Sequence, residues 1–353
     1  MLSEALKQIY RARAQRHCTA MTPNPKRRLV WPSSSRIPYT NVPECVEAGL
    51  RASFPPLEVL VTRDPEALSQ ALPECEILVS WSLPPEQFAL CRKLQWIHSP
   101  AACVTQLCIP ELVESDVLLT NARTVHAIPV AEHAIALLLA LARRLKDCSA
   151  YQAERRWGQA DSWQPGHVPT ELNGRILGLV GLGAIGREIA VRAKALGMRV
   201  IAVKRDPTEG TEYAERVDSP ERLHAMLAEA DFVVLALPET PETRHLISVA
   251  ELRFLKPNAF LINVSRGSLV DTEALVEALE SGAIGGAALD VTAPEPLPPE
   301  HPLWTLPNVL ITPHLAGASD RYWPHQLELL QENLRRYLSG QPLLNVVDKK
   351  RGY

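Results

Sequence analysis

The chain has 353 residues, more than one ordinary hydrophobic core organises, so two domains of usual size are expected. Hydrophobic residues make up 46% and charged residues 22%, with a formal net charge of −3, the balance of a globular protein without an electrostatic footprint for nucleic acid or an anionic membrane. The seven cysteines form no Cys-x-x-Cys pair, which excludes a disulfide framework or zinc site as an organising feature and fits a reducing, cytoplasmic compartment.

Residues 1–25 read as an N-terminal extension. Lys7, Arg11, Arg13 and Arg16 stand there with Glu4 as the only acid, a superficial likeness to a transit segment, but a loose tail with the domain opening near Met21 is the simpler reading. Strands are expected at 26–32, 57–61, 77–81, 94–98 and 118–121 with helical patches between them, so residues 26–125 read as an α/β domain. The apolar run 134–142 is far shorter than the roughly 20 residues of a membrane span and belongs to a buried helix running to Leu145. Pro129 suits its first turn, where the missing N–H costs nothing. The first crossing between domains is placed at this helix, and Trp157 and Trp163 beyond it read as core cover in preference to aromatics that reach a partner subunit's site.

In the second half, strands are expected at 176–180, 199–203, 232–237, 259–263, 286–291 and 309–312. Helices between the earlier ones imply a mainly parallel, doubly wound sheet that binds ligands at the carboxyl ends of its strands. A last helix at 324–338 turns Leu327, Leu330 and Leu334 to one face. In the tail 341–353, Leu343, Leu344, Val346 and Val347 are expected to cover the first domain.

The strand at 176–180 runs into Gly181-Leu182-Gly183-Ala184-Ile185-Gly186 and then a helical pattern, the context in which a glycine loop binds a dinucleotide. Gly181 allows the tight turn, Gly183 lets backbone approach a pyrophosphate, and Gly186 permits close helix packing, with the first helical amides, at Ala184 and Ile185, facing the phosphates. An acid about 20 residues beyond these glycines would bind the adenine ribose. Here Lys204 holds that place and Arg205 follows, two cations suited to a 2′-phosphate, so NADP(H) is preferred over NAD(H). The alternative makes both surface charges, with Asp206 serving the ribose.

Three later segments fall where strand ends are expected to face an interdomain cleft: Asn263-Val264-Ser265-Arg266-Gly267, Ala293-Pro294-Glu295-Pro296 and Thr312-Pro313-His314-Leu315-Ala316-Gly317. Hydride transfer to a 2-oxo acid needs a cation for the carboxylate, a proton donor for the nascent alkoxide and an anion beside that donor. Arg266, His314 and Glu295 supply these three. No cluster has metal-ligand spacing, and this chemistry requires no metal. Among the other histidines, His126 and His133 flank Pro129, where cap or packing roles are expected.

In these motifs, together with the loop Leu237-Pro238-Glu239-Thr240-Pro241-Glu242-Thr243 and with Ala288-Leu289-Asp290-Val291, the sequence resembles the D-isomer-specific 2-hydroxy acid dehydrogenase family over about residues 26–345. The resemblance implies an α/β fold of two doubly wound parallel-sheet domains, a Rossmann nucleotide domain at 126–314 inserted into a flavodoxin-like substrate domain formed by 26–125 and 315–353. It also implies a homodimer held through the nucleotide domains. By position, Arg266 binds substrate, His314 is the acid/base and Glu295 orients and charges it. Asp290 meets the nicotinamide carboxamide, and Leu237, Pro238, Thr243 and Gly317 line the cofactor. Ala102, Cys103 and Val104 form the substrate-carboxylate loop.

That loop departs from the family's Ala-Gly-Val-Asp. Cysteine at 103 lacks glycine's access to positive φ and adds a small apolar side chain beside the substrate. The expected activity is reduction of a small 2-oxo acid such as glyoxylate or hydroxypyruvate. A 3-phosphoglycerate dehydrogenase is the nearest enzyme alternative, disfavoured because the chain stops soon after its last helix. A formate dehydrogenase is disfavoured by Glu295, where that branch has glutamine. The alternative from another class is a cofactor-sensing, corepressor-like binding protein.

Overall fold

The structure is a computed structural model that describes residues 27–33 and 41–353. The expected extension 1–25 and the first residue of the strand expected at 26–32 lie outside the described residues. The chain divides into two compact units, one made of the described residues up to His126 with Ser319–Tyr353, the other of Ala127–Ala318.

The first unit is built on β1 (Arg27–Pro32), β2 (Leu57–Thr62), β3 (Ile77–Val79), β4 (Trp96–Ser99) and β5 (Leu118–Asn121), all parallel in the order β2-β1-β3-β4-β5. This is the flavodoxin-like winding. Side-chain alternation gives the sheet two buried faces. Leu29, Trp31, Ile77 and Val79 pack with Val46 and Leu50 of the helix Glu44–Ser53 and with Leu330 and Leu334 of the helix Tyr322–Leu338, while Val30, Leu78 and Ile97 build the opposite core. The tail runs along β5. Val347 donates its amide to Leu119 O at 2.9 Å, Val346 bridges Thr120, and Leu343 and Val347 are buried while Leu344 stays at the surface.

The second unit is also parallel, in the order β12-β11-β10-β9-β6-β7-β8. Its strands are β6 (Ile176–Val180), β7 (Arg199–Val203), β8 (Arg216–Asp218), β9 (Phe232–Leu235), β10 (Phe260–Asn263), β11 (Gly286–Leu289) and β12 (Val309–Ile311). From β6 this is the Rossmann order with one strand added beyond it. The edge strand β8 was not expected, because Arg216-Val217-Asp218 is short, half-buried and without apolar alternation. β9 and β11 end at Leu235 and Leu289, two residues before the expected limits, which leaves Ala236–Leu237 and Asp290–Val291 to the loops that carry the site.

The helix Ala127–Ala142 packs on the helix Ala184–Ala195 and across β10 and β11. It stops three residues short of Leu145 because Arg144 is left-handed, φ 55°, and a separate helix, Leu145–Ala153, starts after it. Trp157 and Trp163 correct the reading of them as core: they are 88% and 72% exposed, with Leu145 and Val168 also at the surface. Among the described residues no helix is long and apolar enough to cross a membrane.

Candidate active site

The glycine loop joins β6 to its helix. Gly181 has φ +99°, and a Cβ there would fall 2.4 Å from the Ala236 carbonyl oxygen, so only glycine makes this turn. A Cβ on Gly186 would meet the Gly181 carbonyl oxygen at 2.3 Å, which explains the close seating of the helix on the loop. Gly183 differs, since the space beside it is open. It is the N-cap of the helix Ala184–Ala195 and no side chain caps it, so the first amides, at Ala184 and Ile185, keep their capacity to bind an anion. An open glycine and uncapped amides fit the pyrophosphate of a dinucleotide, and two cations, Lys204 and Arg205, follow the end of β7.

Those cations are differently placed. Lys204 is mostly buried and its Nζ lies 2.9 Å from Glu209 Oε2. This contact, with Arg187 nearby, holds the Glu209 carboxyl below its ordinary pKa. Arg205 is exposed. Asp206 accepts from the Thr208 amide at 3.0 Å and hydroxyl at 2.6 Å, so its carboxylate is engaged in its own turn. Further along the carboxyl edge, Ser265 joins β9 to β10: its hydroxyl donates to Leu235 O at 2.8 Å and accepts from Leu237 N at 3.1 Å. The Thr243 hydroxyl donates to Pro238 O at 2.9 Å and accepts from Thr240 N at 2.7 Å, closing the loop that begins at Leu237.

Glu295 and His314 come together. Glu295 follows β11 in a loop with cis peptide bonds at Ala293–Pro294 and Glu295–Pro296. His314 follows β12 and has φ 50°, a left-handed conformation costly for a side-chain-bearing residue. Its Nδ1 lies 2.5 Å from Glu295 Oε1, and both side chains are about half exposed. Nδ1–H donates to the carboxylate, which leaves Nε2 as the ring nitrogen able to exchange a proton.

Arg266 leaves β10 on a neighbouring loop, its Nη1 donating to Ser265 O at 2.6 Å. A Cβ on the next residue, Gly267, would lie 2.0 Å from the Thr292 carbonyl carbon, so the Arg266 loop rests directly on the backbone leading to Glu295. Thr272 Oγ1 reinforces this contact through Ala293 O at 2.9 Å.

Asp290 lies beneath the His314 loop, only 2% exposed. Its Oδ1 accepts from Thr312 Oγ1 at 2.6 Å and Leu315 N at 3.0 Å, its Oδ2 accepts from Ala316 N at 3.0 Å, and its carbonyl accepts from His314 N at 2.8 Å. Burial alone would raise the Asp290 pKa, but hydrogen bonds from His133, Thr312 and the two amides outweigh it and hold the carboxyl below its usual value. Gly317 continues the turn, which closes through Ala318 N to Leu315 O at 2.9 Å.

In the first unit, the segment after β4 is tied to β5. Asn121 Nδ2 donates to Ala102 O at 2.7 Å, and Val104 is buried with its carbonyl accepting from Leu107 N at 2.8 Å. Cys103 lies 3.0 Å from Thr105 Oγ1 through its sulfur and is not among the residues with positive φ. Cysteine at this place therefore carries no left-handed backbone strain, contrary to the concern raised by the loss of glycine.

His133, for which a cap or packing role was expected, and Thr312 and Ser265, to which no role was given, each hold a loop from below. The available signal for His133 was that it and Glu132 are the two ionisable side chains in a helix otherwise made for burial, with Val130, Ala134, Leu137 and Leu138 around them.

Residues 135–316 match the family model described as the D-isomer specific 2-hydroxyacid dehydrogenase NAD binding domain. The glyoxylate reductase of Korarchaeum cryptofilum (strain OPF8) is 36% identical over 295 residues, covering 81% of this chain and 86% of that relative. A D-3-phosphoglycerate dehydrogenase of Synechocystis is 37% identical over 257 residues, 72% of this chain but 45% of that longer relative. Among solved structures, the NADPH-dependent glyoxylate/hydroxypyruvate reductase of Sinorhizobium meliloti, in complex with NADP and sulfate, is 30% identical with a TM-score of 0.77, covering 93% of this chain and 100% of that one.

Two doubly wound sheets, a dinucleotide loop and a histidine–carboxylate pair at strand ends define an NAD(P)-dependent dehydrogenase acting on a CH–OH group. The chain belongs to the D-isomer-specific 2-hydroxyacid dehydrogenase family.

Proposed function

We propose that the chain reduces small 2-oxo acids of the glyoxylate and hydroxypyruvate kind to D-2-hydroxy acids, with NADP(H) as the preferred cofactor. The observation that carries the reading is the contact between His314 Nδ1 and Glu295 Oε1. When bound, the reduced nicotinamide supplies the hydride. The glycine loop and the amides of Ala184 and Ile185 hold its pyrophosphate, Lys204 and Arg205 take the 2′-phosphate, and Leu237, Pro238, Thr243 and Gly317 border it. His314 delivers a proton from Nε2 to the substrate oxygen, and Glu295 fixes the tautomer and ring direction that this requires. Arg266 binds the substrate carboxylate by a charge-assisted contact, with Ala102, Cys103 and Val104 as the remaining carboxylate loop.

Glyoxylate reductase among the relatives and an NADPH-dependent glyoxylate/hydroxypyruvate reductase among the structures support the substrate class. The uncapped helix and the adjacent cations Lys204 and Arg205 after β7 support the cofactor. NADPH oxidation with glyoxylate, hydroxypyruvate and larger 2-oxo acids tests the reading, alongside D-3-phosphoglycerate oxidation. Turnover on D-3-phosphoglycerate alone, or on none of the panel, overturns it. Exposed Trp157, Trp163, Leu145 and Val168 support a homodimer through the second unit, so serine at both tryptophans is expected to leave a monomer by sedimentation.

A further inference from the structure

We infer that His133 is a positioning residue that sets the conformation of the His314 loop through Asp290. The inference rests on the proton-donor role proposed for His314, although the anchoring itself can be measured without turnover. His133 lies on the helix Ala127–Ala142, remote in sequence from the loop, and its side chain is 16% exposed. Its Nε2 is 2.9 Å from Thr312 Oγ1 and 3.3 Å from Asp290 Oδ1.

The direction of the hydrogen bonds follows from the groups. An ionised carboxylate only accepts, so the single Thr312 hydroxyl proton goes to Asp290 across 2.6 Å. The Thr312 oxygen is then left as an acceptor, and His133 must present Nε2–H to it. One imidazole donor therefore orients the hydroxyl that orients the carboxylate.

That carboxylate holds the amides of Leu315 and Ala316, and the Asp290 carbonyl holds the amide of His314. Both sides of a left-handed His314 are thus tied to one buried residue. A left-handed conformation persists only while its surroundings enforce it. Removing the His133 donor leaves a buried carboxylate and hydroxyl short of a partner and loosens the enforcement. His314 then loses its fixed approach to Glu295, although neither residue has changed.

The experiment compares His133→Leu, His133→Gln and Thr312→Val with the full wild-type chain. Glutamine places an amide N–H near the lost Nε2–H, and valine removes only the Thr312 hydroxyl. Hydrogen exchange over residues 312–318, read by mass spectrometry without cofactor, is expected to speed up about tenfold or more at the Leu315 and Ala316 amides in His133→Leu and Thr312→Val, and to stay near wild type in His133→Gln. In steady state, His133→Leu is expected to lower kcat about 10- to 100-fold with KM for the 2-oxo acid within about threefold, and His133→Gln to restore kcat to within about threefold.

Unchanged exchange in both His133→Leu and Thr312→Val overturns the inference, as does a His133→Gln variant as impaired as His133→Leu. If His133→Leu does not fold, Thr312→Val decides by the same exchange criterion. A wild-type chain that turns over no 2-oxo acid defeats the proposed function, while the exchange comparison still decides the anchoring.

Discussion

His314 and Glu295, from loops that follow different strands, meet through Nδ1 and Oε1 at 2.5 Å, with the histidine held in a left-handed turn by Asp290 below it. A carboxylate in this place fixes one ring nitrogen as donor and leaves the other for chemistry. Glu295→Gln keeps the shape but offers Nδ1–H only a weaker, neutral acceptor. Its kcat/KM is expected to fall about 100-fold, with the dissociation constant for NADPH unchanged. Steady-state kinetics beside a fluorescence titration of NADPH check this, and a loss confined to cofactor binding would contradict it.

Gly267 makes a prediction about stability. The alanine Cβ would sit 2.0 Å from the Thr292 carbonyl carbon and 2.5 Å from Ala293 N, both backbone atoms that cannot move aside as a side chain end can. Gly267→Ala is expected to cost roughly 2–3 kcal/mol in urea unfolding and to displace the Arg266 and Glu295 loops from each other. A wild-type unfolding midpoint would show that the two loops separate without penalty.

Lys204 and Arg205 bear on the choice of cofactor. Lys204→Ala combined with Arg205→Ala is expected to lower kcat/KM for NADPH at least about tenfold while leaving NADH within about threefold, because a charge-assisted contact is lost only where a 2′-phosphate is present. Equal losses with both cofactors would assign the two cations to the fold.

In the first unit, His98 lies wholly buried in β4 with Nδ1 2.9 Å from Thr120 Oγ1, and burial pushes its pKa down to about 3. The folded chain therefore refuses a proton that the unfolded chain accepts at about pH 6.5, so stability falls as the pH drops from about 6.5 towards 3. The linkage amounts to about 4 kcal/mol across that window. His98→Leu is expected to flatten the acid side of the thermal midpoint against pH relative to wild type. Parallel curves would contradict the assignment.

Much of the fold was legible because both sheets rest on short apolar runs separated by turn residues, and the glycine loop sits between a strand and a helix as its mechanism demands. Arg266, Glu295 and His314 were legible because each stands just past a strand, where parallel sheets present their ligand groups. The supporting layer was less visible. Thr312 reads as a strand end and His133, beside Glu132, as one of two polar residues in an apolar helix, and nothing in the local sequence links positions 179 apart. β8 escaped because an edge strand of Arg-Val-Asp has no period, and the break at Arg144 because left-handed arginine has no sequence signature.

The central claim is that His314, oriented by Glu295, supplies the proton in 2-oxo acid reduction. It is tested most directly by measuring NADPH oxidation with glyoxylate and hydroxypyruvate for wild type and His314→Gln, with NADPH occupancy set equal by titration. The predicted result is turnover by the wild type and a loss of about 1,000-fold in kcat for the variant, with NADPH affinity within about threefold. A variant within tenfold of wild type, or a wild type inert on both substrates, would contradict it.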